Sequence, residues 1–425
     1  MMAKHPSPFV PKLRFPEFEG GPEWEEVTLG ALLIRPPEYG VNAAAVPFSE
    51  SLPTYIRITD INEDGQFGAR SRVSVDIDAT DDQYLEDGDI VLARTGASVG
   101  KSYRHRREDG RLVYAGFLIR IRPNHERLLS QFLGAYLLTW SYWDWVRLTS
   151  ARSGQPGING NEYASMPLPL PQGERALAEQ RKIADCFGSL DDLIAAQGRT
   201  LETLRQHKEG LMQQLFPQPG ESTPRVRFPE FVNAVWESKT LGTLVSNTER
   251  PIVMDDETEY ALVTVKRRYG GVIAREILKG KAISVKSQFL VEANDFLVSK
   301  RQIVHDACGL VPAELTGSIV SNEYSVLTAK NGCDIGFFNY FTQQPCVSES
   351  FLQSSVGIVI EKMLFKLDWW LKLAFPFPSF AEQQRIADCL SSLDARLAAQ
   401  VRKLNVLKTH KQGLLQRLFP TLDGQ

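Results

Sequence analysis

The chain has 425 residues, of which 43% are hydrophobic and 23% charged; this is an ordinary globular balance, and the length suggests two or three domains. A formal charge of −3 gives nucleic-acid binding no bulk electrostatic support, so any such function must rest on local clusters. No apolar run approaches the roughly 18 residues of a membrane span, and five cysteines without a CxxC pair do not make a disulfide framework or a zinc site.

Residues Met1 to Val10 carry no apolar signal core, so a cytoplasmic protein without membrane contact is expected. An opening motif, Arg14-Phe15-Pro16-Glu17-Phe18, precedes Trp24 and Leu29-Gly30. Strand-like runs follow at Thr54–Thr59, Asp89–Ala93 and Gly116–Ile121, each rich in β-branched and aliphatic residues. Gly96-Ala97-Ser98-Val99-Gly100-Lys101-Ser102 resembles a P-loop but is one residue short, which changes the amides that would converge on a phosphate. Nucleotide hydrolysis is therefore not expected there, although the amides and Lys101 could hold a nucleic-acid phosphate. Leu128 to Leu148 reads as one aromatic-rich helix, and Pro167-Leu168-Pro169-Leu170-Pro171 leads out of the first globular part.

A long heptad helix comes next. Its seam is Ile183, Phe187, Leu190, Ile194, Gln197, Leu201, Leu204, Lys208, Leu211 and Leu215, in alternating steps of four and three. The same seam returns as Ile386, Leu390, Leu393, Leu397, Gln400, Leu404, Leu407, Lys411, Leu414 and Leu418, with 386 − 183 = 203 at every position. Even the polar exceptions agree, Gln197 with Gln400 and Lys208 with Lys411. Straight helices drift off such a period, so the two seams are expected to pair as a coiled coil whose polar positions fix register. Two amphipathic helices, each packed on its own domain, is the other reading. Ser379 and Glu382 form a capping-box pattern, and Pro217 and Pro420 stop the two helices at equivalent points. Gly210 and Gly413 fall inside the helices, which suggests close approach by another backbone, from the partner helix or another subunit.

Between the helices, Gln218–Pro224 reads as a loop. The opening motif then returns as Arg227-Phe228-Pro229-Glu230-Phe231 before Trp236 and Leu241-Gly242. Ala261–Val265, Phe296–Val298 and Ser325–Leu327 are strand-like. The two globular parts match each other far less well than the helices do. Neither contains H-E-x-x-H, a G-x-G-x-x-G after a strand, or an amino-methyltransferase N/D-P-P-Y/F motif; Arg35-Pro36-Pro37-Glu38 lacks both the acid and the aromatic. No catalytic site and no metal site is expected. Basic and aromatic clusters occur in both parts, around Arg94–Arg107 with Arg147 and Arg152, and around Lys266–Tyr269, Lys279, Lys281 and Lys300–Gln302.

These residues resemble the specificity subunit of a Type I restriction–modification system over nearly the whole chain. The likeness rests on the duplicated R-F-P-E-F openings, the G-D-I-V-L-A-R-T-G strand and loop at Gly88–Gly96, the Pro-rich approaches, and above all the paired A-E-Q helices ending in Leu-Phe-Pro. The resemblance implies an α+β protein with a pseudo-two-fold internal repeat. Two target-recognition domains (1–171 and 218–378) would be joined by two conserved helices (172–217 and 379–420) in an antiparallel coiled coil, with a tail at 421–425. Each domain would read one half of a split DNA sequence. The chain would be non-catalytic and would bind no cofactor. It would dock two methyltransferase subunits, which use S-adenosylmethionine, and with them restriction subunits that use ATP and Mg. Such a system defends against phage. The second domain departs from the pattern, since Asn294-Asp295-Phe296-Leu297-Val298-Ser299-Lys300-Arg301 stands where the first has its Gly-containing loop.

From residue type and position, the expected DNA contacts in the first domain are Arg57, Thr59, Arg94, Thr95, Ser98, Lys101, Ser153 and Gln155. In the second they are Lys266, Arg267, Arg268, Tyr269, Lys300, Arg301, Gln302 and Ser354. Side chains of these types read base edges, chiefly in the major groove, or fix register on phosphates. The coiled coil would act as a ruler, one added heptad in both helices widening the gap by about 10 Å. The competing function is a duplicated coiled-coil adaptor that binds only proteins.

Overall fold

The computed structural model describes residues 9–68, 72–151 and 155–421. The chain divides into two units, Met1–Gly198 with Arg402–Gln425, and Arg199–Val401. Each unit takes one end of both long helices, Ala176–Gln214 and Phe380–Leu418. No described helix is long and apolar enough to cross a membrane.

In the first unit, strand Pro167–Leu170 pairs antiparallel with Glu25–Thr28. Its prolines fall on alternate residues, so their missing N–H groups share one edge and leave the other free for the ladder. A four-stranded sheet has the order 38–39, 118–121, 90–93, 102–104, and a second has 45–47, 73–75, 54–56, 112–114. The second unit repeats the plan. Ala374–Phe377 pairs with Glu237–Thr240, and the sheets run 245–247, 324–329, 296–299, 308–310 and 272–279, 259–265, 319–321, 288–290. Interiors that differ in sequence thus share the order of the first sheet and of three strands of the second; the remaining strand, 45–47 in one unit and 288–290 in the other, lies on opposite edges.

The aromatic stretch Leu128–Leu148 is two helices, Ser130–Tyr136 and Trp140–Ser150. The break has a local cause. Thr139 leaves the helical conformation and its side chain accepts from Tyr142 N, capping the second helix.

The long helices meet inside each unit, and they run antiparallel. In the first unit Ile183, Ala184 and Phe187, near the start of one helix, pack with Leu415, Leu418 and Phe419 at the end of the other. In the second, Leu215 and Phe216 pack with Ile386, Ala387 and Leu390. Every seam position is buried or half-buried. The seam lysines form a matched pair of ion pairs: Lys411 Nζ lies 2.6 Å from Asp191 Oδ1, and Lys208 Nζ lies 2.6 Å from Asp394 Oδ1. Gly210 and Gly413 have nothing within 4 Å of where a Cβ would stand, so among the described residues no other part of the chain packs closely on them. Ser379 accepts from Glu382 N at 3.4 Å, but the Glu382 carboxylate turns instead to Arg227. Only one arm of the capping box is therefore made.

Candidate nucleic-acid interface

Strand Ile90–Ala93 is buried along its whole length and sets the base of the Arg94–Lys101 loop. It is entered through a tight turn in which Gly88 has φ 90° and Asp89 Oδ2 accepts from Glu86 N at 2.9 Å. The loop leaves through Gly100, φ 87°, into strand Ser102–Arg104. A Cβ at Gly100 would stand 2.7 Å from Val146 Cγ1, so left-handed geometry and space both require glycine there. Two buried hydroxyls hold the ends of the loop: Tyr163 donates to Ala93 O at 2.7 Å and Tyr142 to Gly100 O at 2.6 Å.

The second unit builds the same loop at an offset of 206, since 296 − 90 = 206 and 308 − 102 = 206 for the flanking strands. Asn294, φ 67°, stands where Gly88 does, and Asp306, φ 59°, where Gly100 does. Asn and Asp are the non-glycine residues that tolerate this region best. Asp295 Oδ2 accepts from Glu292 N at 2.7 Å, matching Asp89. The segment without the glycines is therefore the structural equivalent of the first loop, and Lys300–Ala307 is its tip.

In the first unit, Arg57 is half-buried and forked onto Asp60, with Nε and Nη2 donating at 2.9 and 2.8 Å; the hydrogen bond to that carboxylate raises the Arg57 pKa. Thr59 is exposed beside it. The Arg94 guanidinium lies over the Tyr39 ring, 4.9 Å from its centroid, and its Nε is buried without a hydrogen-bond partner among the described residues. Thr95 bridges to Gly157, and Ser98 O accepts from Lys101 N. Lys101 Nζ lies 2.7 Å from Glu63 Oε1. Gln155 is exposed, its Nε2 3.2 Å from the Cβ position of Gly96. Arg94, Thr95, Ser98, Lys101 and Gln155 thus gather on one loop system, while Arg57 and Thr59 sit on a neighbouring turn. Ser153 lies outside the described residues.

In the second unit, Lys266, Arg267 and Arg268 are exposed on the turn between strands Glu259–Val265 and Val272–Lys279. Tyr269 is half-buried with its hydroxyl on Asp306 Oδ1 at 2.8 Å; burial pushes its pKa well up, so it stays a donor. Arg267 Nε donates to Gln302 Oε1 at 2.7 Å, which joins the turn to the Lys300–Ala307 loop. Lys300 Nζ donates to Asn322 O, and Arg301 Nε to Glu323 Oε2 at 2.6 Å. Ser354 is 3% exposed, enclosed within the unit. Tyr39, which lies under Arg94, and Asp306, which accepts from Tyr269, were not singled out by residue type or spacing. Asp306 was findable by laying one loop on the other, but that alignment needs the sheet order.

The geometry is a pair of loops, each rooted on a buried strand and carrying cationic and amide side chains. The Type I restriction modification DNA specificity domain family matches residues 45–206 and 235–409, most of the chain in two copies. The chain belongs to this family. As a specificity subunit it recognises the DNA target of a type I restriction–modification system and is the recognition, not the catalytic, component. A protein of Methanocaldococcus jannaschii named as the MjaX type I restriction enzyme specificity subunit is 22% identical over 344 residues, covering 78% of this chain and 77% of that protein. A crystal structure of the S subunit from M. genitalium aligns with TM-score 0.60 at 14% identity, over 97% of this chain and all of that one. A chain from a structure of type I R–M complex assembly aligns with TM-score 0.53 at 15% identity, over 93% of this chain and 97% of that one. Specificity subunits of this kind work with DNA and within a restriction–modification complex.

Proposed function

We propose that this specificity subunit reads a split DNA sequence, one half with the first unit and the other half with the second. The observation that carries this is the loop built twice, at Arg94–Lys101 and Lys300–Ala307, with equivalent strands at its base and left-handed residues at matched positions. Arg57, Thr59, Arg94, Thr95, Ser98, Lys101, Ser153 and Gln155 serve the first half-site. Lys266, Arg267, Arg268, Tyr269, Lys300, Arg301, Gln302 and Ser354 serve the second. Exposed Arg, Gln and Thr side chains would contact base edges, while Lys and backbone amides hold phosphates. Tyr269 would act from inside the fold by holding the loops through Asp306, while Ser354 lies enclosed at the end of helix Pro345–Gln353.

In this reading the chain works in the cytoplasm with two methyltransferase subunits, which supply S-adenosylmethionine, and with restriction subunits that use ATP and Mg. It holds none of these cofactors itself. Among the described residues no group of three His, Cys, Asp or Glu side chains gathers as a metal cradle. The test is an alanine series in the assembled methyltransferase complex, with affinity measured on single-base variants of the target. A base reader relaxes one position by about 1–3 kcal/mol, and a phosphate contact weakens all sequences alike. A series in which no substitution changes affinity or specificity would overturn the site map.

A further inference from the structure

Three of the four non-glycine residues with left-handed backbone among the described residues meet at one place in the second unit: Arg268 (φ 55°), Tyr269 (φ 53°) and Asp306 (φ 59°). Arg268 N donates to His305 O at 2.8 Å and Tyr269 N to Asp306 O at 2.9 Å. Asp306 Oδ1 then accepts from the Tyr269 hydroxyl at 2.8 Å and from Ser348 Oγ at 2.5 Å. Backbone held this way is strained for these residue types and persists only where its surroundings over-determine it, which is common at functional sites. Here the strain straps the Lys266–Gly271 turn onto the Lys300–Ala307 loop.

Arg267 stands on the outer side of that strap and is 53% exposed. Its Nε is taken by the Gln302 amide oxygen at 2.7 Å, and Nη2 lies 3.3 Å from Glu361 Oε2. Glu361 also lies 3.3 Å from His305 Nε2 through its other oxygen and is itself 59% exposed. With Nε on Gln302 and one Nη2 hydrogen on Glu361, the remaining hydrogens of Nη1 and Nη2 are the guanidinium donors left for a ligand, and a parallel pair of donors is the fork that grips guanine O6 and N7. A carboxylate beside it is out of place on a phosphate-binding surface, where it would be repelled. It is suited to accept from the N4 amine of cytosine.

We propose that Arg267 and Glu361 together read one guanine–cytosine base pair in the half-site of the second unit. Gln302 is a positioning residue for the Arg267 fork, and Tyr269, Asp306 and Ser348 are positioning residues for the two loops. The inference rests on the reading above that this loop system faces DNA, and it names the base pair taken.

The test uses the assembled complex with its methyltransferase partner. Sequencing the methylated DNA gives the motif, and competition binding follows with single-base variants and with 7-deazaguanine, which lacks the N7 acceptor, at each guanine. Arg267→Ala should lose roughly 10- to 100-fold discrimination at a single G·C position while binding the mismatched duplexes as before. 7-Deazaguanine at that position should weaken the unsubstituted complex but not the variant. Glu361→Gln and Ser348→Ala should relax the same position with complex assembly intact. An Arg267→Ala complex weakened equally on all duplexes, or a motif in which no G·C position responds, overturns the proposal while leaving the split-target reading in place. An assembled complex that methylates no defined motif would overturn both.

Discussion

The duplicated opening and the duplicated helix start are the two ends of one contact. Arg14 forks onto Glu179 through Nε and Nη2, each at 2.7 Å, and gives Nη1 to Gly21 O and Pro22 O. Arg227 does the same with Glu382 at 2.9 and 2.6 Å, and with Val232 O and Ala234 O. The next residue of each helix, Gln180 or Gln383, accepts from Leu129 N or Asp334 N and donates to Arg127 O or Gly332 O. The conspicuous residues of both repeats thus clamp the globular part to the helix start. They were legible as repeats, but their partnership was not, because 155 or 165 residues separate the partners. Glu382→Gln should cost about 3–5 kcal/mol, because it strands a buried guanidinium. In urea unfolding, the double variant Arg227→Met/Glu382→Met should lose less than the sum of the single changes; strict additivity would mean that the pair is not coupled. The equivalent loop of the second unit was hidden at this same scale. Asn294 and Asp306 do the conformational work of Gly88 and Gly100, so a search for glycine misses them.

At the scale of elements, the helices were the easiest part to read, because a 3.5-residue period kept over ten positions constrains many residues at once. Short strands of three or four residues carry no such signal. The exit of each long helix has a further consequence. Phe419 lies among Trp24, Phe132, Tyr136 and Phe187, at centroid distances of 5.1 to 6.5 Å. Phe216 stacks on Phe337 at 5.2 Å and meets Trp236 edge-on. The exit of the second long helix therefore completes the core of the first unit. Phe419→Ala should destabilise that unit by about 3–5 kcal/mol. Hydrogen exchange should then quicken in helix Ser130–Tyr136 and leave helix Ile335–Phe341 of the second unit protected. Equal loss in both units would show that their stabilities are not separable.

At the scale of the molecule, two units with the same first sheet, three matching strands in the second and different loop residues account for a chain whose helices repeat and whose loops do not. The frame must be the same twice to fold the same way, while each surface is free to suit its own half of the target. A heptad inserted into both helices is expected to widen the unspecified gap of the target by about three base pairs, a length of about 10 Å at 3.4 Å per step. Whether the two units read a split target is tested by single-molecule sequencing of DNA from cells expressing this chain with its methyltransferase partner. A methylated motif in two short halves around a fixed unspecified gap is the predicted result. A single uninterrupted motif, or no motif from a complex shown to assemble, would contradict it.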